Sequence, residues 1–234
     1  MPSNIILIET STALCSVAVA RDGKVAAFRE SSTPRAHASM TTPYVKECLD
    51  ELGLKVSDCQ AVCVSSGPGS YTGLRVGSST AKGLCFGGGL PLISICTLDI
   101  LVQQAVEGGL VPEGCRHIVP MIDARRMEVY TAVYSFDGCR FERITDVQAL
   151  VVDESSFAGE LSEGPVLFIG DGAAKCEPVL GSEGAVFVQV NPHAKAMAVP
   201  AQEAFEAGRF ENTAYYEPFY LKEFVATVSK KNLF

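Results

Sequence analysis

The 234-residue sequence has no tryptophan, only three histidines and a shortage of positive charge. Its 19 Lys and Arg residues against 27 Asp and Glu give a net charge of −8. A protein that grips a nucleic-acid backbone by itself needs clustered Lys and Arg, so we do not expect one here. The apolar runs are too short for a membrane span, and the N-terminus lacks the pattern of a signal peptide.

The sequence also lacks the spaced pairs that hold metals. Its nine cysteines are odd in number and form no CxxC pair. Most lie in apolar runs, which predicts buried, reduced thiols and therefore the cytoplasm. No HxxxH or HExxH pair exists, and no histidine accompanies a G-x-S-x-G nucleophile turn. We therefore predict no catalytic residue and no metal ligand.

The most specific segment runs from Ser66 to Gly77 and reads SGPGSYTGLRVG. It follows an apolar run at 61–64 and opens into a predicted helix reaching about Phe86. A strand, a glycine-rich turn and a helix suit either a bound anion or a closely approaching partner. A phosphate cradle is disfavoured, because no Lys-Ser/Thr pair follows the last glycine and the GxGxxG spacing is absent.

The predicted helix carries small residues at every fourth position. Such a ridge lets another element approach closely, and glycine costs about 1 kcal/mol in a helix interior relative to alanine. Two readings stay open: packing on the sheet of its own lobe, or contact with a helix of another protein. The ridge consists of Gly73, Gly77, Ala81 and Cys85.

The pattern along the chain predicts an α/β fold of two related lobes. Three strands (5–9, 15–20, 24–30), a helix with Pro43 in its first turn, and β-α-β-α form a lobe at 1–107. Strands at 118–122, 128–136, 139–145, 166–169 and 186–190, with a short helix near 155–161, predict a degraded second lobe at 108–214. The segment 215–234 is expected to pack back on the first lobe or to lie near a partner.

Two carboxylates end predicted strands, Glu9 in the first lobe and Asp123 in the second. Carboxylates at such positions could hold Mg²⁺ or a nucleotide in a cleft between lobes. The alternative is a capped turn and a local ion pair with Arg125 or Arg126. Ser11, Gly170 and Gly172 would complete a possible vestigial nucleotide site, although 170–172 also fits a tight loop before a helix.

Taken together, several motifs resemble the TsaB (YeaZ) family over nearly the whole chain. The resemblance implies an actin-like (ASKHA) fold of two ribonuclease-H-like lobes with mixed sheets flanked by helices. It also implies a part in the synthesis of threonylcarbamoyladenosine next to the anticodon of transfer RNA. The motifs are Ile8-Glu-Thr-Ser-Thr12, the Ser66–Gly77 segment, Asp123-Ala-Arg125 with Glu128-Val-Tyr130, Gly170-Asp-Gly172 and Tyr220-Leu-Lys222.

In that family the chain is a non-catalytic subunit that dimerises with and activates the transferase TsaD, joined by the ATPase TsaE. The resemblance implies no cofactor of its own, with ATP and metal on TsaD and TsaE. Transfer RNA would be contacted only through the complex, and a homodimer is expected when the chain is alone. The TsaD contact would use the two first-lobe helices, and the predicted interface residues are Met40, Tyr44, Tyr71, Gly73, Leu74, Gly77, Ala81 and Cys85.

One residue departs from the family pattern, since Glu9 stands where the family usually has Asp. The sequence Ile-Glu-Thr-Ser is how the catalytic paralogue begins, but the HxxxH iron site of that paralogue is missing here. The alternatives are an ASKHA-type nucleotide-binding phosphotransferase and a glycoprotease-like hydrolase.

Overall fold

A computed structural model describes residues 3–222. The first sheet consists of β1 (Asn4–Glu9), β2 (Cys15–Arg21), β3 (Lys24–Ser31), β4 (Ala61–Gly67) and β5 (Leu92–Cys96). The strand order is β3-β2-β1-β4-β5. β2 is antiparallel to both β1 and β3, whereas β4 is parallel to both β1 and β5. β1 and most of β2 and β4 are buried on both faces, which explains their nearly continuous apolar sequences.

Three helices cover this sheet: α1 (His37–Glu51), α2 (Tyr71–Gly88) and α3 (Thr97–Glu107). The predicted start of α1 is wrong, because Pro43 lies in its middle rather than in its first turn. The first turns of α1 are mostly exposed and therefore lack the apolar spacing that reveals a helix in sequence. Because proline lacks an N–H, α1 lacks the one backbone hydrogen bond that residue 43 would donate to the carbonyl of Ser39.

The second sheet consists of β6 (His117–Asp123), β7 (Glu128–Thr131), β8 (Tyr134–Phe136), β9 (Phe141–Arg143), β10 (Gln148–Val151), β11 (Val166–Ile169) and β12 (Ala185–Val188). The strand order is β10-β7-β6-β11-β12, and β8 pairs with both β6 and β9. Two short helices accompany this sheet, α4 (Ala158–Ser162) and α5 (Ala173–Leu180).

The single strand predicted at 128–136 is wrong, because the chain leaves the ladder between β7 and β8. Pro120 of β6 has no N–H to offer at this point, and its carbonyl accepts the Thr131 hydroxyl at 2.8 Å. The Val133 N–H donates instead to the Thr145 hydroxyl at 2.8 Å. The break lets β7 pair with β10 while β8 pairs with β9.

Both sheets repeat one strand order, with antiparallel and parallel neighbours at matching places. The predicted α/β fold of two ribonuclease-H-like lobes in an actin-like arrangement is therefore confirmed. The nine cysteines are unpaired and seven of them are buried, as predicted. Within residues 3–222 we find no helix with the length and apolar character needed to cross a bilayer.

The chain returns to the first lobe earlier than predicted. A short 3-10 helix (Ala194–Met197) and α6 (Ala198–Glu206) pack on the first sheet. Met197 and Ala201 share an apolar core with Ile5 and Leu7 of β1. The predicted extension of the second lobe to residue 214 is therefore corrected, since its last part belongs to the first lobe.

Candidate functional site

The glycine-rich segment forms the turn between β4 and α2 and is held by the residues after β1. Ser70 caps α2 because its hydroxyl accepts the N–H of Gly73 at 3.3 Å. The N–H of Ser70 donates to the carbonyl of Ser11 at 2.6 Å, and the Thr10 hydroxyl donates to the carbonyl of Gly73 at 2.8 Å. The N–H groups of Ser70 and Gly73 are thus already used and are not free to bind a phosphate.

The ridge of small residues on α2 faces the sheet of its own lobe. A Cβ atom at Gly73 would overlap the carbonyl oxygen of Thr10, and one at Gly77 would overlap its hydroxyl. Ala81 and Cys85 are buried in the same core. Packing within the lobe therefore accounts for this ridge, and the idea that it is the contact line for a partner is wrong.

Burial also removes two further predicted interface residues from the surface. Leu74 is buried, and Tyr44 is buried with its hydroxyl donating to the Glu30 carbonyl at 3.3 Å. Met40 is half-buried and packs against the first-lobe core, whereas Tyr71 lines an open groove. Contact with a partner through α1 and α2 stays a prediction, and it now falls on different residues of these helices.

The opposite, exposed face of α2 also carries small residues. Cβ atoms at Gly83 and Gly87 would meet no other part of the described chain within 4 Å. Phe86, beside them, is 92% exposed. Nearer the start of α2, a groove of about 550 Å³ runs beside α1, lined by Ala38, Tyr71, Thr72, Arg75, Val76, Ser79 and Thr80. The sequence reading missed this face because the buried ridge offered the more regular spacing.

Glu9, the last residue of β1, is completely buried. One of its carboxylate oxygens accepts the Ser11 N–H at 2.6 Å, and the other has no aligned donor among residues 3–222. Burial raises the pKa of Glu9 to about 7, although the neighbouring polar groups of Ser11 and Ser65 oppose the rise. Glu9 is therefore an interior group and not the solvent-facing carboxylate that a metal site in a cleft would need.

Asp123, the last residue of β6, is half-exposed and forms an ion pair with Lys175 of α5. The predicted pairing with Arg125 or Arg126 is wrong, because α5 brings Lys175 over the end of the strand. Lys175 also donates to the carbonyl of Glu128 at 2.6 Å.

A second acidic residue, Asp171, lies directly beside this pair. Its carboxylate accepts the Asp123 N–H at 2.9 Å. Burial raises the pKa of Asp171 to about 6, helped by the charge of Asp123 and opposed by Lys175. At this end of the second sheet, the positive charge beside the two carboxylates is thus the ammonium group of Lys175.

Gly170 and Gly172 allow the loop after β11 to pass close to β6. A Cβ atom at Gly170 would overlap the carbonyl oxygen of Met121, and the Gly172 N–H donates to that carbonyl at 3.0 Å. The loop leads directly into α5, as the tight-loop reading predicts. Across the described chain, no hydrogen bond or ion pair links this group to Glu9 or Ser11, so a nucleotide site shared by both lobes stays a prediction.

Each of the three histidines contacts a group that belongs to the fold. His37 contacts a carbonyl in the first lobe, His117 pairs with Glu163, and His193 caps the 3-10 helix before α6. In the part of the chain that the structure covers, no three His, Cys, Asp or Glu side chains are grouped to hold a metal ion.

Residues 211–222 form a strap that crosses the first lobe next to the glycine-rich turn. The Phe219 N–H donates to the Ser66 carbonyl at 2.7 Å. A Cβ atom at Gly67 would lie only 2.8 Å from the carbonyl oxygen of Phe219. Gly67 is therefore needed for this close approach of the strap.

The end of the strap joins both lobes. The ring of Tyr220 lies 4.8 Å from that of Tyr71, and Lys222 forms an ion pair with Glu128 and lies over the ring of Tyr130. Within the predicted C-terminal segment, residues 215–222 thus contact the first lobe, and Lys222 also contacts the second. The rest of that segment, 223–234, lies outside the described residues.

Comparison with known proteins gives consistent matches. The sequence-family model described as "TsaD: tRNA N6-adenosine threonylcarbamoyltransferase" matches residues 30–228. The tRNA threonylcarbamoyladenosine biosynthesis protein TsaB of Escherichia coli K12 is 33% identical, covering 95% of this chain and 96% of that protein. TsaB of Bacillus subtilis 168 is 29% identical, covering 85% and 87%.

Solved structures agree with the sequence relatives. The structure titled "YeaZ from Pseudomonas aeruginosa" matches with a TM-score of 0.81 and 27% identity, covering 94% of this chain and all of that one. The family model carries the transferase's name, but the relatives that match from end to end carry the TsaB name. The chain belongs to the TsaB (YeaZ) family.

Proposed function

We propose that this chain is a non-catalytic subunit in the synthesis of threonylcarbamoyladenosine on transfer RNA. It pairs with a TsaD-type transferase and activates it, and a TsaE-type ATPase joins the complex. ATP and metal are held by those two proteins, and transfer RNA contacts this chain only through the complex. The names of the TsaB relatives support the pathway, and the net charge of −8 favours contact with transfer RNA through partners.

The observation that carries the proposal is the exposed face of α2. Gly83 and Gly87 each cost the helix about 1 kcal/mol relative to alanine. Among residues 3–222 neither has a close neighbour, and neither has a positive φ that would require glycine. Their absent side chains, next to the exposed ring of Phe86, leave room for a helix of another protein to approach closely. A homodimer through the same face is the expected state without the partner.

The state of the two strand-end carboxylates supports a role without chemistry of its own. Glu9 is buried with a raised pKa, and Asp123 is already paired with Lys175. A nucleotide-binding phosphotransferase, the main alternative, needs such carboxylates to be open to a metal–phosphate group. That alternative predicts binding of ATP–Mg²⁺ to the isolated chain, and calorimetry at millimolar ATP tests it.

The test of the proposal is the variant Gly83→Gln. The side chain points into open space, so the variant folds and is about 0.5–1 kcal/mol more stable than wild type. The same side chain obstructs the face that we assign to the partner. We therefore expect binding to the TsaD-type protein of the same organism to weaken at least about tenfold, measured by calorimetry.

The matched control is Gly159→Gln. Gly159 is also a helical glycine whose added Cβ would meet none of the described residues within 4 Å, but it lies in α4 of the second lobe. This control should bind the transferase like wild type and support transfer-RNA modification in a reconstituted assay. Wild-type binding by Gly83→Gln would contradict the assigned face, and full modification activity without this chain would contradict the activator role.

A further inference from the structure

The groove between α1 and α2 carries a single charge. Its volume is about 550 Å³, and its wall consists of apolar or short side chains apart from Tyr71 and Arg75. Among residues 3–222 Arg75 forms no ion pair. Its guanidinium lies over the Tyr71 ring, 4.8 Å from the ring centre, at the end of the groove near the start of α2. The groove is therefore a mainly uncharged channel with one positive group at one end.

The strap leads the chain to this end of the groove. The ring of Tyr220 lies 4.8 Å from that of Tyr71. Burial raises the pKa of Tyr220 and the charge of Arg75 opposes the rise, so Tyr220 also lies beside the guanidinium. Because consecutive Cα atoms are about 3.8 Å apart, the backbone of Lys222 lies within about 8 Å of that of Tyr220. The residues that follow in the sequence thus begin close to the groove.

The sequence after Lys222 suits such a channel. It reads Glu223-Phe-Val-Ala-Thr-Val228, a carboxylate followed by mainly apolar residues. The part of α2 that lines the groove, from Tyr71 to Thr80, spans about 14 Å along the helix axis. Six extended residues span up to about 20 Å. This stretch is therefore long enough to follow the groove over its whole length.

We propose that residues 223–228 occupy the groove between α1 and α2, with the Glu223 carboxylate on Arg75 and the Phe224 and Val225 side chains against the apolar wall. The charges are complementary, and a carboxylate bonds well to a guanidinium that is already held in place. The apolar side chains leave water when they enter the channel. Because the stretch is joined to the strap, its effective concentration at the groove is on the order of millimolar, so a weak contact keeps the groove occupied.

The consequence for a partner rests on the proposed function. Thr80 in the groove wall and Gly83 lie one turn apart on α2, so the groove continues into the face that we assign to the TsaD-type protein. The docked stretch covers the beginning of that face and leaves Gly83 and Phe86 open. A partner that uses the whole face must first displace the stretch, which lowers its apparent affinity. The chain thus carries a competitor for its own partner.

The experiment compares full-length variants of the isolated chain by NMR. Phe224→Ser with Val225→Ser should shift the amide signals of groove residues such as Val76, Ser79 and Thr80, because apolar side chains leave their surroundings. The matched control is Leu233→Ser with Phe234→Ser, which removes two apolar side chains beyond the docked stretch and should leave those signals unchanged. No groove shifts in the first variant, or equal shifts in both, would overturn the docking. Groove signals that depend on protein concentration would assign the groove to a second copy and overturn the intramolecular occupant.

A charge exchange tests the ion pair. Arg75 is exposed, so Arg75→Glu should leave the melting temperature unchanged while it repels Glu223 and shifts the groove signals. Adding Glu223→Arg should return the signals toward those of wild type, because the reversed charges attract again. Failure of the second change to restore them would overturn the assigned pair.

Calorimetry with the TsaD-type protein tests the competition. Phe224→Ser with Val225→Ser should bind this partner several-fold more tightly than wild type, and the control should bind like wild type. Unchanged or weaker binding by the first variant would overturn the competition. The groove shifts are measured on the isolated chain, so their outcome is independent of the proposed function, which Gly83→Gln tests.

Discussion

The two lobes share one strand order but differ in their helices and in the residues that end their first strands. In the first lobe, α1 and α2 have 15 and 18 residues, whereas α4 and α5 in the second have 5 and 8. The first lobe buries its terminal carboxylate, Glu9, and the second pairs Asp123 with Lys175. The same strand order thus occurs in a lobe with two long helices, one of which has an exposed face, and in a lobe with two short helices and an ion pair at the end of its first strand.

Glycine serves the same purpose in both lobes but with different tolerance. In the first lobe the helix approaches the chain after β1 so closely that a Cβ atom at Gly73 would overlap Thr10. In the second lobe a Cβ atom at Gly172 would lie 3.1 Å from the Met121 carbonyl oxygen, a tight contact that a small shift relieves. Gly73 is therefore less tolerant of a side chain than Gly172, whereas Gly170 of the second-lobe loop meets the Met121 carbonyl oxygen as closely as Gly73 meets that of Thr10.

The largest expected effect comes from Gly73→Ala, which should lower the free energy of unfolding by about 3 kcal/mol or more. The new methyl group meets the Thr10 carbonyl oxygen. The segment that carries this carbonyl cannot move away cheaply, because the Ser11 carbonyl accepts the Ser70 N–H and the Thr10 hydroxyl donates to the Gly73 carbonyl. Gly172→Ala should cost about 1 kcal/mol. Urea unfolding of both variants measures the difference, and equal losses would refute the claim that Gly73 has a tighter contact than Gly172.

The next effect is a pH dependence that resides in Glu9. Its pKa is raised to about 7 in the folded protein from an ordinary value of 4.5. Between these values the folded chain holds a proton that the unfolded chain has lost, so stability falls as pH rises through this window. Glu9→Gln is neutral and keeps an acceptor for the Ser11 N–H. It should therefore be up to about 3 kcal/mol more stable than wild type at pH 8.

The same comparison at pH 4.5 serves as the control, because both side chains are then largely uncharged and the difference should nearly vanish. Urea unfolding at the two pH values measures both. If Glu9→Gln were less stable than wild type at pH 8, the carboxylate would be stabilised by its surroundings and the assignment of Glu9 as a destabilised charge would be wrong.

The smallest effect is expected for Lys175→Met in the second lobe. Its ion pair with Asp123 is partly exposed, with side chains 24% and 46% accessible, and such pairs contribute about 0–1 kcal/mol. The loss should shrink further in high salt because the charges are screened. Removing Lys175 should also raise the pKa of Asp171, since its charge opposes that rise. A loss above about 2 kcal/mol that salt does not reduce would show that the pair is effectively buried.

Sequence reasoning located the repeated architecture because the strands of both lobes are short apolar runs with clear turns between them. It misjudged α1, whose first turns are exposed and carry no apolar spacing. It also missed the division of β7 from β8, which depends on a proline in the neighbouring strand β6. Such errors arise where tertiary partners, rather than local preference, decide the path of the chain.

The candidate site also contains features that local sequence patterns could not predict. The spacing of Gly73, Gly77, Ala81 and Cys85 predicted a close approach, and α2 does approach another segment closely, but that segment is the chain just after β1 in the same lobe. A four-residue period reveals that a helix has a close-packed face without revealing what lies against it. The Asp123–Lys175 pair joins residues far apart in sequence, so no local pattern could have indicated it.

The early return of the chain to the first lobe has a consequence for the order of synthesis. Ile5 and Leu7 complete their core with Met197 and Ala201, which are among the later residues to leave the ribosome. A nascent chain of residues 1–107 has made every strand of the first sheet but lacks part of the cover for one of its faces. That apolar face stays partly uncovered while the whole second lobe is translated. Because exposed apolar surface promotes aggregation, we expect the nascent chain to need a chaperone most during this interval.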